Sequence, residues 1–402
     1  MPDSSSRRGA CALGCETAKL MPIDPETREI LKAIVQCSFH GNEKRLENLV
    51  GKIVEWNSLI ARARQHRVAP LLHSRLMETD ALVPPEIREL LRIDYDRNAF
   101  RSLANASELV SILRRFDQQG IPAMPFKGVV LAASVYKSLT IRPAGDLDLL
   151  IFERDLKRAT ALLLEYGYEL QTEAHEDGSP SLENYYEYHF ERPSDGMVLE
   201  LRWRLELTQP RYRHNLGMDW VWPRRQTVNL AGVDVPNLDP ERSLLMLCMH
   251  GSKHVWSRLI WICDVAQLLK EKSDLDWNAV TREAKRVGLF RSLALGVMLA
   301  RRVCGAPVPA KVLRRFESNR DASNLAAYFE EAVLDEPGKL PRSHLAYNFR
   351  LLDFRDRVRV LLSTNFARPN ERDREILRLP KALHLLYYLV RPIRFLLHRS
   401  AR

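Results

Sequence analysis

The sequence predicts an α+β protein in which a strand-bearing segment lies between two all-α regions. Three observations predict it. Apolar residues recur at helical spacing from Asp24 to about Gln119. The period changes at Ile121, after which short apolar runs bounded by Gly and Pro alternate with helical stretches as far as Trp203. From Asp239 onward helical spacing returns and persists.

Residues 1–22 read as a flexible leader, and 23–119 as a helical N-terminal region. Within that region Asp24-Pro25 is a helix cap followed by a first-turn proline, and ETREILKAIVQCSF continues the helix. A second helix is predicted from about Trp56 through ARARQHRVAPLLHSRL. The stretch PPEIRELL to DQQG reads as two helices or one long bent one, closed by Gly120. A core segment spans 120–236. In it IPAMPF is a short strand, GVVLAASVYKSL a helix, IRPAG a turn and DLDLLIF a buried strand with Leu147, Leu149 and Ile151 opposite the aspartates. ERDLKRATALLLEYGYEL is a helix that stops at Gly167 and leads into a strand. His175 to Ser194 is polar and aromatic, a hairpin or a cover. MVLELRWRLEL is the last clear strand, with Val198, Glu200 and Arg202 on one face and Leu199, Leu201 and Trp203 on the other. A helical bundle follows over 237–310 and a basic helical C-terminal region over 311–402.

A chain of 402 residues, 46% hydrophobic and 28% charged, is folded rather than disordered and long enough for more than one core. Its 61 Lys+Arg against 51 Asp+Glu leave a net charge of +10, compatible with polyphosphate or nucleic acid but diagnostic of neither. The six cysteines are scattered, with only Cys11 and Cys15 close together and no second pair to complete a zinc site, so free thiols in a reducing cytosol are expected. The first twenty or so residues hold no sustained apolar core of signal-peptide length, no apolar run reaches the eighteen or more residues needed to span a bilayer, and a cytoplasmic enzyme is the default.

The chemistry concentrates between Phe126 and Ile151. Asp146 and Asp148, two residues apart in a strand, share a face about 7 Å apart. Paired hard carboxylate oxygens suit Mg²⁺, which takes one or two protein carboxylates and fills its other sites with water and substrate phosphates. Gly128 opens a helix whose N-terminus attracts phosphate, and Lys127 beside it can neutralise a phosphate oxygen. Glu200, the only acid in its apolar strand, is the candidate third carboxylate. Buried without a metal it would need a partner, and Arg202 or Arg204 stands ready as one. Arg142 either contacts a triphosphate or fixes the turn by pairing with an aspartate. His250 and His254 share a helical face but lack a third zinc ligand at suitable spacing; His254, Lys253 and Arg258 are instead candidates to reach a triphosphate, or else hydrogen-bond between helices. Trp256 and Trp261 are expected in the core, and Tyr185, Tyr186 and Tyr188 as a packed aromatic patch. The tail HLLYYLVRPIRFLLHR is expected to dock on the protein itself rather than on an anionic membrane, since Pro392 interrupts it.

F-K-G-x-x-L, then Tyr136, then R-P-x-G-D-L-D-L-L-I, then a helix ending in Gly167-Tyr168, resembles the bacterial nucleotidyltransferase family proteins of the DNA polymerase β-like superfamily. H-G-x-K-H-x-W-x-R-L-x-W-I-x-D, from His250 to Asp264, is similar to them too. The resemblance implies a small mixed β-sheet core flanked by all-α regions, with two Mg²⁺ on Asp146, Asp148 and Glu200. It further implies transfer of a nucleoside monophosphate from an NTP, ATP being the expected donor, to an unidentified acceptor (a small molecule, protein, peptide or RNA) with release of pyrophosphate. Nucleotide-binding positions are then Lys127, Gly128, Arg142, Lys253, His254 and Arg258. Two departures stand out: Gly128-Val129 replaces the usual Gly-Gly or Gly-Ser, and Arg202 replaces a usual His after the third acid. They keep open a catalytically inactive relative that binds nucleotide or a partner; an RNA-binding or RNA-modifying protein using the +10 charge ranks after it.

Overall fold

The structure, a computed structural model, describes residues 25–40, 47–48, 50–51, 55–78, 83–171, 186–205, 216–335, 344–353 and 356–357. The leader, Tyr185, most of the polar segment before β4 and the C-terminal apolar-basic tail therefore lie outside the described residues.

Among the described residues the helices α1 (Pro25–His40), α2 (Trp56–Gln65), α3 (Ala69–Met77) and α4 (Pro85–Gln118) precede the sheet. The single helix expected from Trp56 onward is in fact two. Pro70 has no N–H to offer the His66 carbonyl, and its ring crowds that carbonyl in a continuous helix. The chain breaks there, Arg67 takes a left-handed φ of 57°, and the freed His66 carbonyl accepts the Ile260 N–H at 3.3 Å. By contrast, α4 is one unbroken helix of 34 residues, ended by Gly120 at φ 63°.

Next come β1 (Ala123–Pro125), the short helix α5 (Gly128–Leu131) running into a π turn over Ala132–Tyr136, and β2 (Leu147–Ile151). They are followed by α6 (Leu156–Glu165), β3 (Glu169–Leu170), β4 (Glu187–Arg192) and β5 (Met197–Arg202), then α7 (Met218–Val221), β6 (Gln226–Leu230) and β7 (Val233–Asn237). The five-stranded sheet has the order β1-β2-β5-β4-β3. Only β2 and β5 run parallel; the other neighbours are antiparallel, which makes the sheet mixed. Asp146 lies just ahead of β2 rather than inside it, a correction to the expected DLDLLIF strand.

Alternation sorts the strands into two faces. Leu147, Leu149 and Ile151 of β2, with Leu199 and Leu201 of β5, pack in one core with Leu109, Ile112 and Phe116 of α4 and Leu163 of α6. Met124 and Leu150 point the other way, into the larger helical core. That core is built by α8 (Pro240–Lys253), α9 (Leu259–Glu271), α10 (Trp277–Val287) and α11 (Phe290–Cys304), together with α1, α2 and α3. The later helices α12 (Ala310–Glu317), α13 (Arg320–Asp335) and α14 (His344–Leu351) pack behind it. Cys248, Cys263 and Cys304 are buried free thiols. No helix among the described residues is long and apolar enough to cross a membrane.

The β6–β7 hairpin was not foreseen. Its two-residue turn, Ala231-Gly232, takes positive φ at both positions, 51° and 86°, as the twist of a tight hairpin demands. Ala at the first of these is a weak sequence signal, and Asn229 supplies the missing turn chemistry by accepting the Gly232 N–H at 3.0 Å.

Candidate active site

The face of the sheet turned toward α8 and α9 is polar at its centre. Asp148 stands directly beside Glu200 across the parallel β2–β5 pair. On the other side of β5, His189 faces Glu200 and Glu187 faces Arg202. Asp146 joins from the turn ahead of β2. A cavity of about 280 Å³ opens over Asp146, Asp148, Glu187, Glu200 and Arg202. Every site residue singled out from the sequence lines it: Asp146, Asp148 and Glu200 with Lys127, Gly128, Arg142, Lys253, His254 and Arg258. Arg67, Glu187, Arg202, His250 and Trp261 line it as well.

The acids do not stand free. Lys127 Nζ is 2.6 Å from Asp148 Oδ1, and Arg202 Nε is 3.8 Å from the same oxygen. The Arg202 guanidinium also pairs with Glu200 and, at 2.7 Å, with Glu187 Oε2. Arg202 is thus the partner for Glu200 that the sequence had left between Arg202 and Arg204; Arg204 pairs with Glu153 at 3.1 Å. Burial drives the Asp148 carboxyl above the usual carboxylate range, with Lys127 and Arg202 pulling against it. Burial pushes Glu200 the same way, but Arg202 and then Lys127 outweigh it and hold that carboxyl low. For Glu187 the opposition of burial is overcome by the His189 hydrogen bond and by Arg202, which bring it down to about 2. His189 is raised in return, chiefly by that bond to Glu187.

Carboxylate oxygens of this kind fit a hard divalent cation in chemistry, and Mg²⁺ needs only one or two of them. Among the described residues no three His, Cys, Asp or Glu side chains stand together as a ready-made metal cage. Asp146 alone of the three predicted acids has no hydrogen bond or ion pair among the described residues, so a cation binding there would have to compete with Lys127 and Arg202 at the other two.

Gly128 is demanded by geometry. It sits at φ 51°, and a Cβ there would come within 3.3 Å of the Asp146 carbonyl oxygen. The glycine lets the turn carrying Asp146 lie against the start of α5. The turn is fixed from the other side by Arg142, which is 7% exposed and forks onto Asp264 of α9 with two bonds of 2.9 Å. Tyr136 donates to the same carboxylate at 2.8 Å, and Asn105 of α4 donates to the Ala144 carbonyl at 3.1 Å. Of the two roles open to Arg142, the structure realises the pairing one, with Asp264 rather than with an aspartate of the turn.

The basic wall depends on a strained turn. After α8 ends at Lys253, Val255 and Trp256 adopt φ 57° and 50°, a conformation that β-branched and bulky residues avoid at a cost of about 1–3 kcal/mol each. Burial of Trp256 offsets this: its indole is fully enclosed against Gly251 and Gly296, and a Cβ on Gly251 would lie 2.4 Å from the ring. The turn presents Lys253, His254 and Arg258 to the cavity. Lys253 donates to the Tyr186 hydroxyl, and His254 stacks on Trp261 with centroids 5.0 Å apart. Trp256 is core as expected, whereas Trp261 is half-buried and part of the cavity lining. Tyr188 is packed against Phe190 and Trp203. Loss of solvent first, then Lys253, brings His254 down to about 4; burial and Lys127 push His250 far below its ordinary value, so both imidazoles are neutral near pH 7.

Sequence reasoning missed Glu187, His189 and Arg67. Glu187 and His189 alternate with buried Tyr188 and Phe190, a period-2 signal that was legible in EYHFE. Arg67 carried no signal of its own beyond Pro70 three residues on.

A family described as uncharacterised nucleotidyltransferase matches residues 53–305, well over half of the chain, and the chain belongs to it. No curated protein and no solved structure matches the chain.

Proposed function

We propose that this member of the uncharacterised nucleotidyltransferase family moves a nucleoside monophosphate from an NTP, ATP first among the donors, to an acceptor nucleophile. One observation carries the proposal: Asp148 and Glu200 sit side by side on parallel strands, with Asp146 at the mouth of the first, in a single cavity whose opposite wall is basic. Asp146, Asp148 and Glu200 are the residues that would hold Mg²⁺, which when bound neutralises charge on the attacking and leaving oxygens. In the transfer, an acceptor oxygen forms a bond to the α-phosphorus as the bond from that phosphorus to the β-bridging oxygen breaks. Pyrophosphate leaves, and the acceptor proton passes to one of the paired carboxylates. Lys127 is placed to exchange its contact with Asp148 for a phosphate oxygen, and Trp261 offers an aromatic face in the same cavity. The tight turn at Gly128 orients the acids, and Arg142 keeps that turn against α9.

A second reading has its own support. Because Lys127 and Arg202 already pair with Asp148, Glu200 and Glu187, the cavity also suits a relative that binds nucleotide without turning it over. Incubation with Mg²⁺, cell lysate and each NTP labelled at the α or the γ position separates the two. Transfer of α-label to an acceptor, with γ-label recovered in pyrophosphate, supports the enzyme. Saturable binding of NTP with no covalent α-label supports the second reading, and transfer of γ-label overturns nucleotidyl transfer.

A further inference from the structure

Most cations around the cavity are committed: Lys127 to Asp148, Arg142 to Asp264, and Arg202 to Glu200 and Glu187. Arg67 and Arg258 also line the cavity, yet neither has a carboxylate partner among the described residues. They come from opposite ends of the helical framework, Arg67 from the break between α2 and α3 and Arg258 from the residue that caps α9. The buried His66 locks the two segments together. Its Nδ1 accepts the Leu259 N–H at 3.3 Å, and its carbonyl accepts the Ile260 N–H at 3.3 Å. The residue after His66 and the residue before Leu259 are therefore held as neighbours, both positively charged. Burial, and after it the charge of Arg258, depresses the Arg67 guanidinium pKa, while Asp146 acts in the opposite sense. Arg67 holds its position on a left-handed φ of 57°.

Two like charges that line one cavity, near enough for Arg258 to depress Arg67, repel each other, and an anion bound between them relieves that repulsion. Guanidinium forks match the oxygens of a phosphate chain, and although Asp146 lines the same cavity and acts on Arg67, no carboxylate among the described residues forms an ion pair with either guanidinium. We propose that Arg67 and Arg258 form a clamp for the polyphosphate end of the donor nucleotide, the part that departs as pyrophosphate. The inference rests on the nucleotidyl-transfer reading and extends it: the helices ahead of the sheet become part of the donor site.

Titration calorimetry of the full chain with inorganic tripolyphosphate, at two salt concentrations, tests the clamp. The wild-type protein should bind, and Arg67→Gln and Arg258→Gln should each weaken binding roughly tenfold or more and flatten its salt dependence. Arg67→Lys should lose less than Arg67→Gln. Arg92→Gln, which alters an exposed arginine paired with Glu89 and Asp96 on α4, should bind as the wild type does. Wild-type affinity in both glutamine variants, or no tripolyphosphate binding by the wild type, overturns the clamp. Tripolyphosphate cannot donate a nucleotide, so α-label transfer measured in parallel reports separately on nucleotidyl transfer. A clamp that fails beside intact transfer leaves the reading standing, and a clamp that holds without any transfer sinks the reading instead.

Discussion

Arg202 is the residue on which the acidic half of the cavity depends. It is 7% exposed and touches the carboxylates of Glu187, Glu200 and Asp148, so its removal leaves the buried Asp148 and the half-buried Glu187 and Glu200 with one cation fewer. Arg202→Met should lower unfolding free energy by about 3 kcal/mol or more, the scale for breaking a buried pair from one side. Urea melts at pH 7 check it, and an unchanged midpoint would deny the network its structural role. The acids also set a pH dependence. Glu187 is held at about 2, below the unfolded value, so its contribution is complete above the unfolded value and lost as pH falls toward 2. Its partner His189 is raised, so its contribution is complete below the unfolded value and disappears as pH climbs through the folded one. Glu187→Gln should remove both dependences together, seen as a flatter stability curve on the acid side and a His189 NMR titration shifted toward its ordinary range.

At the scale of elements, two glycines decide whether the cavity walls can form. Gly128→Ala imposes a left-handed φ on a residue with a Cβ and presses that Cβ against the Asp146 carbonyl. It should cost about 1 kcal/mol of stability but far more in activity, because the displaced atoms belong to the turn that carries Asp146 and leads into the strand of Asp148. Gly251→Ala meets the Trp256 ring at 2.4 Å and should cost about 1–3 kcal/mol by overpacking, with Lys253 and Arg258 shifted as the turn opens. Calorimetric melting and turnover measured on both variants check the contrast. These elements differ in how plainly the sequence announced them. Asp148 and Glu200 were legible because alternation in DLDLLIF and MVLELRW fixes which side chains share a face, and Gly128 because it stands where a short strand passes into a helix. The position of Asp146 ahead of β2 was not, since strand ends depend on pairing and not on pattern. The break at His66–Val68 was hidden because ARARQHRVAPLL keeps helical spacing through it, and Pro70 at a first helical turn looks harmless. The contact between His66 and α9 joins segments almost two hundred residues apart and has no local trace.

For the whole molecule, the cavity lies where three regions meet: the break before α3, the polar face of the mixed sheet, and the turn between α8 and α9. The α+β class and the position of the strand-bearing segment followed from the change of period at Ile121 and its return at Asp239. The mutual approach of the outer helical regions did not, because two all-α blocks can pack in many ways and only tertiary contacts choose one. A ligand spanning all three regions binds the folded chain alone. NTP with Mg²⁺ should therefore raise the melting temperature in step with concentration, by about 2.7 kcal/mol of stability at a hundred times the dissociation constant. The nucleoside without phosphates should do much less, since it leaves the basic wall unoccupied. Equal stabilisation by both would place recognition away from that wall.

The proposal of nucleotidyl transfer turns on the paired carboxylates of β2 and β5. The most direct test replaces Asp148 by Asn, which keeps the shape of the side chain and removes its charge, and follows α-label transfer from NTP in wild type and variant alongside their melting curves. Transfer should fall at least about a hundredfold while the variant melts cooperatively, as the wild type does. Undiminished transfer in a folded Asp148→Asn protein would contradict the assignment of this site.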